Sequence, residues 1–337
     1  MSPQLSVVIA TYNRGPQLLD LLRDLGAQDL DPAQFEVVVV DDGSTTPVGP
    51  AIAALDLPYP VAVLSQTNTG AAGARDRGIR QAQGSVIVIT DDDMRVESDF
   101  LSEHLRLHQA GYTVVMGQIN AAAGLRDMPL FERFHAHQLA HYVTQLHRGK
   151  ATVLGVRLCT GNVSVRRRDY LAVGGFDPAL QRSEDRDLGL RLERSGANMT
   201  FSQRACVVHN SNHTSLATWM GRAFAYGQCD TRIADKYPDM ETASPWRLFY
   251  RVNPLQRPLL LGAVAFPRLA RLATRAGIKA SLRLDGLGLH DIAIAGTTLT
   301  FCMEYFRGLR REAGSLRQAT HAFLHHRRIR RRGHAPG

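Results

Sequence analysis

Cysteine is scarce in this sequence of 337 residues. The four cysteines lie far apart, and none of them stands in a C-x-x-C pair. This spacing argues against a zinc site or a disulfide framework and predicts a reducing compartment. The sequence also lacks a run of about 18 apolar residues and a charged segment at its start, so we predict neither a membrane-spanning helix nor a signal peptide. These absences together favour a cytoplasmic protein.

Acidic residues are scarce towards the C-terminus, where the excess of positive charge is concentrated. The chain carries a net charge of +9, and residues 307–332 contain nine arginines against one acid, Glu312. A basic segment of this kind predicts contact with an anionic membrane surface, and a solvated, disordered terminus is the alternative. We favour a peripheral position on the inner face of a membrane and expect no nucleic-acid partner.

The common glycine-rich loops that bind nucleotides are absent. Gly70, Gly73 and Gly78 do not fit G-x-G-x-x-G, and the sequence contains no G-x-x-x-x-G-K. The spacing therefore excludes dinucleotide-binding and P-loop proteins. Any phosphate group that this protein binds is expected to be held by a metal ion and by side chains.

Strands and helices alternate through the first hundred residues. Runs of apolar residues, many of them β-branched, predict strands at 5–10, 35–40, 61–64 and 86–89. The segments between these strands contain apolar or small residues at helical spacing. Strands separated by helices form βαβ units, so we predict an α/β fold with a mostly parallel sheet.

Polar residues follow three of the predicted strands at the points where these strands end. They are residues 11–14 after the first strand, Asp41 and Asp42 after the second, and residues 91–93 after the fourth. Because the carboxyl ends of parallel strands share one edge of a sheet, we expect these side chains to line one crevice. Adjacent carboxylates repel one another, and a hard divalent cation relieves that repulsion while it keeps positions for substrate phosphates. The pattern therefore favours a metal site over a solvated acidic turn.

Four segments carry a resemblance to a known family. T-Y-N-R, V-V-V-V-D-D-G-S, N-T-G-A-A-G-A-R and I-T-D-D-D occur in this order. Over residues 5–225 the sequence resembles an inverting family 2 glycosyltransferase with the GT-A fold, which implies a Rossmann-like, mostly parallel central sheet flanked by helices. We accordingly expect a GT-A domain at 1–235, a helical region at 236–325 and a basic, disordered tail at 326–337.

The resemblance implies a donor site for a nucleoside diphosphate sugar. The residues that it places around the nucleotide are Thr11, Tyr12 and Arg14 at the base pocket, Asp42 at the base edge, Asp41 in support of that turn, and Arg75, Asp92, Gly161 and Asn162 near the donor. Asp91 and Asp93 are the outer members of a D-x-D motif. Asp93 is the implied ligand of Mn²⁺ or Mg²⁺, and Asp91 faces the ribose and the metal. His209 is implied to be a further metal ligand.

A second acidic group, E-D-x-D-L, begins at Glu184. By the resemblance, Asp185 is the catalytic base and Glu184 orients or contacts the acceptor. An inverting transfer needs one carboxylate that takes the proton of the acceptor hydroxyl during in-line attack. The simpler interpretation is the capping of a helix N-terminus. Capping accounts for Ser183, but not for three acids directly after a glycine-rich turn.

The function that we predict is metal-dependent, inverting transfer of a single sugar in polysaccharide or glycoconjugate biosynthesis, with a UDP-sugar as the expected donor. The acceptor is expected to be a hydroxyl of a glycan, a lipid-linked molecule or a small molecule. The Q-x-x-R-W motif of the processive synthases in the resembled family is absent, which favours a non-processive enzyme. One alternative is a sugar-phosphate nucleotidyltransferase, although T-Y-N-R stands where that class has G-G-x-G-T-R-L. The other is a non-catalytic module that binds a nucleotide sugar.

A predicted helix at 130–146 is rich in histidine. It contains His135, His137 and His141, and His147 follows it. We interpret these residues as a polar helix surface, with an acceptor channel or a metal site as the alternatives.

Overall fold

The computed structural model of the chain describes residues 3–122, 128–148, 152–180, 182–210 and 216–333. These residues pack as two compact units. The first unit takes its residues from 1–123 and 138–212, and the second takes its residues from 124–137 and 213–337. Our predicted boundary at residue 235 lies later in the chain, because the helix that begins at Leu216 packs with the C-terminal helices.

The first unit is built on one mixed sheet. In chain order its strands are β1 (Leu5–Thr11), β2 (Phe35–Asp41), β3 (Val61–Ser65), β4 (Val86–Asp91), β5 (Met94–Val96), β6 (Val114–Ala121), β7 (Asn162–Arg166) and β8 (Met199–His209). Across the sheet they follow the order β3-β2-β1-β4-β7-β6-β8-β5. The first four strands pair in parallel, whereas β7 is antiparallel to β4 and β6, and β5 is antiparallel to β8. The parallel pairing confirms the βαβ units predicted for the first hundred residues.

Helices cover both faces of this sheet. Those that pack on it are α1 (Gly15–Gly26), α2 (Gly49–Ala53), α3 (Ala71–Gln81), α4 (Phe100–Gln109), α6 (Arg167–Ala172) and α7 (Glu184–Arg194). A further helix, α5 (Leu130–His147), contributes residues to both units. Alternate residues of a strand point to opposite faces. Val7 of β1 accordingly packs with the leucines of α1, and Val8 packs with Ile79 of α3 and Leu188 of α7. Both faces of β1 and β2 are therefore buried, as their continuous apolar runs predicted.

The second unit is helical. Its helices after α5 are α8 (Leu216–Lys236), α9 (Arg247–Arg251), α10 (Arg257–Ala265), α11 (Pro267–Gly286), α12 (His290–Glu312) and α13 (Leu316–Gly333). An aromatic cluster around Trp246, Phe249 and Phe306 forms its core. In the described part of the chain, no helix has the length and apolar character needed to cross a membrane.

The basic C-terminal segment is ordered as a helix to residue 333. We expected a disordered tail from residue 326, but α13 continues through that point. The reason is packing, because Ala319 is fully buried in the aromatic core, Phe323 stacks near Tyr250, and the guanidinium of Arg330 lies 4.0 Å from the ring centre of Tyr250. The apolar side chains on one face of α13 therefore fix a helix whose composition alone suggested disorder.

Glycines allow α8 and α12 to cross in close contact. A Cβ added to Gly227 would lie 1.9 Å from the carbonyl oxygen of Tyr305, and one added to Gly308 would lie 1.9 Å from that of Phe224. A backbone atom cannot move aside as a flexible side chain can, so a methyl group at either position forces the two helices apart.

We therefore expect Gly227→Ala to lower the free energy of unfolding by about 1–3 kcal/mol, as overpacking does. The matched control is Gly221→Ala on the same helix, where an added Cβ meets no atom within 4 Å. That control should stabilise the protein by about 0.5–1 kcal/mol, because alanine favours a helix over glycine. Urea unfolding of both variants measures the difference, and equal stability of the two would contradict the close crossing.

Candidate active site

Strand register brings the three predicted polar clusters to one edge of the sheet. In the parallel pairing, Ala10 lies beside Asp91, and Thr11 lies beside Asp41. The segments that follow β1, β2 and β4 therefore leave the sheet side by side. This confirms the prediction that these clusters share the carboxyl edge of the parallel strands.

Asp92 and Asp93 are held by residues that follow β1. The hydroxyl of Thr11 donates a hydrogen bond to Asp92 at 2.7 Å. Arg14 Nη1 lies 3.1 Å from Asp92 Oδ1 and 2.5 Å from Asp93 Oδ2. The pKa of Asp92 is raised to about 6, mainly by burial. The hydrogen bond from Thr11 and the charge of Arg14 lower it and so limit this rise. Arg14 therefore neutralises part of the acidic cluster, and Asp92 points into the protein.

Asp41 and Asp42 shape the two loops beside them. Asp41 accepts hydrogen bonds from the backbone N–H groups of Ser44 and Val48. Asp42 is buried, and it accepts hydrogen bonds from the backbone N–H groups of Thr69 and Gly70, each at 2.9 Å. Asp41 thus supports the turn after β2, as predicted. Asp42 holds the loop before α3, a contact that the sequence did not indicate.

Arg75 of α3 joins the acids at the end of β4 to those of α7. One of its terminal nitrogens contacts Asp91 Oδ1, and the other lies 3.3 Å from Glu184 Oε1. The Arg75 side chain is 8% exposed and that of Glu184 is 15% exposed, whereas Asp91 is 33% exposed and retains some water. Asp91 and Glu184 are 93 positions apart in the sequence, and Arg75 is the contact that brings them to one place.

Asp185 follows Glu184 in the first turn of α7. The pKa of Asp185 is raised to about 7, chiefly by burial and also by the neighbouring Glu184 carboxylate. Arg186 and Arg75 act in the opposite direction, and the backbone N–H of Arg186 donates to Asp185 Oδ1 at 2.8 Å. A carboxylate whose pKa is close to neutral can both accept and release a proton, as a general base requires.

The simpler interpretation, in which the Ser183 side chain caps α7, is wrong. Its side chain makes no capping hydrogen bond to the helix, and its backbone has φ of 60° in the left-handed region. A non-glycine residue adopts this conformation at an energetic cost, and such strained positions are concentrated at functional sites. Simple capping therefore leaves the acids of the first turn unexplained.

The short strand β5 places His209 against Asp93. In the antiparallel pairing of β5 with β8, Met94 is the partner of His209, and the backbone N–H of Asn210 donates to the carbonyl of Asp93 at 2.8 Å. His209 Nε2 lies 3.4 Å from Asp93 Oδ2. Among the described residues, no group of three or more His, Cys, Asp or Glu side chains is arranged to hold a metal ion. The side chains at this place with metal-binding chemistry are thus two, Asp93 and His209.

Gly161 and Asn162 lie beside Asp91, but their roles differ. A Cβ added to Gly161 would lie 3.4 Å from Asp91 Oδ2. The Asn162 side chain is buried, and its amide nitrogen donates to the carbonyls of Gln118 and Ala205 at 2.9 Å each. Its polar atoms are committed to the packing of β6, β7 and β8. The Asn162 side chain therefore serves the sheet, and the predicted place of this residue near the donor stays a prediction.

Tyr12 and the three described histidine side chains of α5 are exposed. Tyr12 precedes Arg14 by two residues and is 49% exposed, and its place at the base pocket stays a prediction. His135, His137 and His141 are all exposed on α5, and the His147 side chain lies outside the described residues. A polar helix surface is the interpretation that their exposure favours.

A buried network of two histidines and a serine was missing from the sequence interpretation. His104 Nδ1 and His108 Nε2 of α4 lie 2.8 and 2.7 Å from the Ser164 hydroxyl of β7. The other nitrogens of these rings contact Asn162 Oδ1 and the carbonyl of Tyr112. Burial lowers the pKa of His104 to about 3 and that of His108 to about 4. The i, i+4 spacing of the two histidines was visible, but their serine partner lies 56 residues beyond His108.

This network predicts a loss of stability at acidic pH. The unfolded chain binds protons on its histidines near pH 6.5, whereas the folded protein resists protonation to about pH 4. Each neutral imidazole therefore contributes to the free energy of unfolding above the pKa of the unfolded chain. This contribution falls as the pH drops, by about 2 kcal/mol between pH 7 and pH 5. His108→Gln should reduce this pH dependence in urea unfolding, and His321→Gln, at an exposed position of α13, should not. An unchanged pH dependence in His108→Gln would contradict the assignment.

Known proteins share this fold and this sequence pattern. Residues 6–174 match the family model described as Glycosyl transferase family 2. Validoxylamine A glucosyltransferase from Streptomyces hygroscopicus subsp. limoneus is 28% identical over 284 residues, which cover 74% of this chain and 60% of that protein. Pre-mycofactocin glycosyltransferase from Mycobacterium tuberculosis is 27% identical over 242 residues, which cover 69% of this chain and 48% of that protein. The chain thus spans less than two thirds of the length of either relative.

Two solved structures are similar in fold. The mannosyltransferase PcManGT from Pyrobaculum calidifontis, solved with GDP-Man and Mn²⁺, has a TM-score of 0.61 at 20% identity and covers 96% of this chain and 88% of its own. S. aureus TarS 1-349, solved with UDP-GlcNAc, has a TM-score of 0.54 at 16% identity and covers 94% and 93%. The architecture is therefore that of a mixed α/β protein of the GT-A type. The chain belongs to glycosyl transferase family 2.

Proposed function

We propose that this protein is a metal-dependent, inverting glycosyltransferase that moves a single sugar from a nucleoside diphosphate sugar to an acceptor hydroxyl. The observation that carries the proposal is the Arg75 bridge between Asp91 and Glu184. The bridge joins the acidic end of β4, where a donor is expected to bind, to the helix that carries Asp185. Donor and base are thus parts of one site, as a displacement at a single carbon atom requires.

The residues of the chain have separate tasks in this reaction. Asp185 takes the proton of the acceptor hydroxyl as that oxygen forms a bond to the anomeric carbon of the sugar. The bond between that carbon and the phosphate oxygen breaks, and the nucleoside diphosphate leaves with the bonding electrons. Glu184 orients the acceptor, and Arg75 fixes the distance between the donor acids and the base. Attack from the side opposite the leaving group inverts the configuration.

Asp93 and His209 have the chemistry of a site for Mn²⁺ or Mg²⁺. Asp93 Oδ2 and His209 Nε2 lie 3.4 Å apart, so these two side chains would hold the ion. Few protein ligands are needed, because such an ion keeps waters and binds substrate phosphates. When bound, the ion would neutralise the charge that develops on the leaving diphosphate. Arg14, which contacts Asp93, adds positive charge at the same place.

An assay of nucleoside diphosphate release identifies the base and the sugar of the donor. We expect the protein to release the nucleoside diphosphate from one member of a panel of UDP-, GDP- and dTDP-sugars, with a UDP-sugar preferred. Release should require Mn²⁺ or Mg²⁺ and should stop when a chelator is added. Formation of pyrophosphate from a sugar phosphate and a nucleoside triphosphate would instead indicate a nucleotidyltransferase. Donor binding without release, in the presence of a broad set of acceptors, would indicate a binding module.

A further inference from the structure

Helix α11 is packed with its small residues inward and its leucines outward. The residues that it buries are Ala270, Thr274, Ile278 and Ser281. Small residues also mark its contact with α12, where a Cβ added to Gly277 would lie 2.7 Å from the Thr300 side chain. By contrast, Leu269 is 65% exposed and Leu272 is 62% exposed. A water-soluble helix usually buries its leucines, whereas small residues at the helix contact and leucines on the outside are typical of helices in lipid.

The outward apolar side chains continue into the neighbouring segments. Leu255 before α10 is 86% exposed, Phe266 between α10 and α11 is 66% exposed, and Leu287 after α11 is 76% exposed. Other large apolar residues exposed in the same stretch are Leu259, Leu261, Leu282, Leu289 and Ile292. We call the exposed apolar residues of 255–292 the leucine surface. Large exposed apolar residues concentrated in one segment indicate a site of interaction.

The charge along most of this stretch, up to Asp285, is of one sign. Residues 257–284 contain no aspartate or glutamate, and their cations are Arg257, Arg268, Arg271, Arg275, Lys279 and Arg283. On α11, the exposed arginines at 268, 271 and 275 adjoin the exposed leucines. Arginine and lysine can extend their charged ends towards phosphate groups while their carbon chains lie along apolar surface. Leucines beside such cations form the pattern of a helix that lies in the interface of an anionic bilayer.

We propose that the leucine surface of the second unit docks on an anionic lipid bilayer, with α11 lying in the plane of the interface. Charge complementarity favours a bilayer over a second copy of the chain or a nucleic acid as the partner of this surface. In a second copy of the chain, the same surface would bring a second set of six cations against two acids, Asp285 and Asp291, of which Asp285 already pairs with Arg133. A nucleic acid would pair with the cations but would leave Leu269 and Leu272 exposed to water. A bilayer with anionic headgroups satisfies the cations and buries the leucines.

Co-sedimentation of the full chain with vesicles tests this surface. We expect the protein to bind vesicles of phosphatidylcholine mixed with phosphatidylglycerol, and to bind vesicles of phosphatidylcholine alone at least tenfold more weakly. The double variant Leu269→Gln/Leu272→Gln should lower the partition coefficient by about tenfold or more, because it removes buried apolar area. Arg271→Gln/Arg275→Gln should have an effect of similar size, since each cation near an anionic surface contributes about fivefold. These residues are exposed, so the melting temperature of each variant should equal that of the parent.

The matched control is Leu316→Gln/Leu324→Gln on α13, where both leucines are 45% exposed within a basic helix. This control should bind anionic vesicles as the parent does. A loss of binding in the α13 variant and not in the α11 variants would overturn the proposal. Vesicle binding that depends only on Arg271 and Arg275, and that nucleic acid abolishes by competition, would also overturn the proposal. A third contrary result is a dimer in light scattering that Leu269→Gln/Leu272→Gln converts to a monomer, together with no binding to vesicles.

Discussion

Replacing Asp185 by asparagine should lower the rate of sugar transfer by about 10²–10⁴-fold, the contribution that a positioned general base makes. Asparagine has nearly the same shape as aspartate but cannot take a proton from the acceptor hydroxyl. Donor binding should be retained, because Asp185 lies on α7 and the proposed donor contacts lie at the ends of β1, β2 and β4. Initial rates, together with donor titrations by calorimetry, measure the two effects separately.

The pH profile gives this prediction a second test. Because the base acts in its ionised form and its pKa is raised to about 7, the rate should rise as the pH increases through 7 and then level off. Asp20→Asn is the control, since that carboxylate is exposed on α1 and pairs with Arg23, which is also exposed. The control should retain the rate and the profile of the parent. An Asp185→Asn variant that transfers sugar at the parent rate would remove Asp185 from the mechanism.

Replacing Arg75 by methionine should lower both stability and activity. Loss of one partner leaves the acids of a shielded ion pair without a cation, which typically costs about 3–5 kcal/mol. Because the Asp91 side chain is 33% exposed and retains some water, we expect a loss of about 2–3 kcal/mol in the free energy of unfolding. Arg75→Lys should be intermediate, because an ammonium group cannot span Asp91 and Glu184 as a planar guanidinium does.

The matched control for Arg75 lies on the same helix. Arg80 is 56% exposed and pairs with Asp76 one turn away, so Arg80→Met should change stability by less than about 1 kcal/mol. A positioning role also predicts opposite shifts in the pH profile. Arg75 lowers the pKa of Asp185 and Glu184 raises it, so Arg75→Met should move the profile to higher pH and Glu184→Gln to lower pH. Shifts in the same direction would show that the charges around Asp185 are arranged differently.

The sequence was sufficient to predict the parallel half of the sheet and its polar edge. Continuous apolar runs identify strands that are buried on both faces, and the polar residues directly after those runs must then lie at one edge. This reasoning from local sequence patterns is enough to predict that Thr11, Asp41 and Asp91 lie at one edge, as the strand register shows. It applies because these strands pair in parallel, so that their carboxyl ends coincide.

The remainder of the site depends on contacts that no local pattern encodes. Strand β5 has three residues, too few for a periodic signal, yet it fixes His209 beside Asp93. The Asn162 side chain turns towards β6 and β8 because its amide satisfies two buried carbonyls, and its neighbours in the sequence do not determine that choice. The order of α13 similarly depends on the distant aromatic ring of Tyr250. Such contacts are decided by tertiary packing.

The most direct measurement is a crystal structure of the protein with Mn²⁺ and its nucleoside diphosphate sugar, with the ion located by its anomalous scattering. We expect the anomalous peak beside Asp93 and His209, in contact with the diphosphate. We expect the Asp185 carboxylate to lie on the face of the sugar ring opposite the leaving group, where an acceptor hydroxyl would attack. A diphosphate and ion bound away from Asp93, or an Asp185 on the same face as the leaving group, would contradict the proposed mechanism.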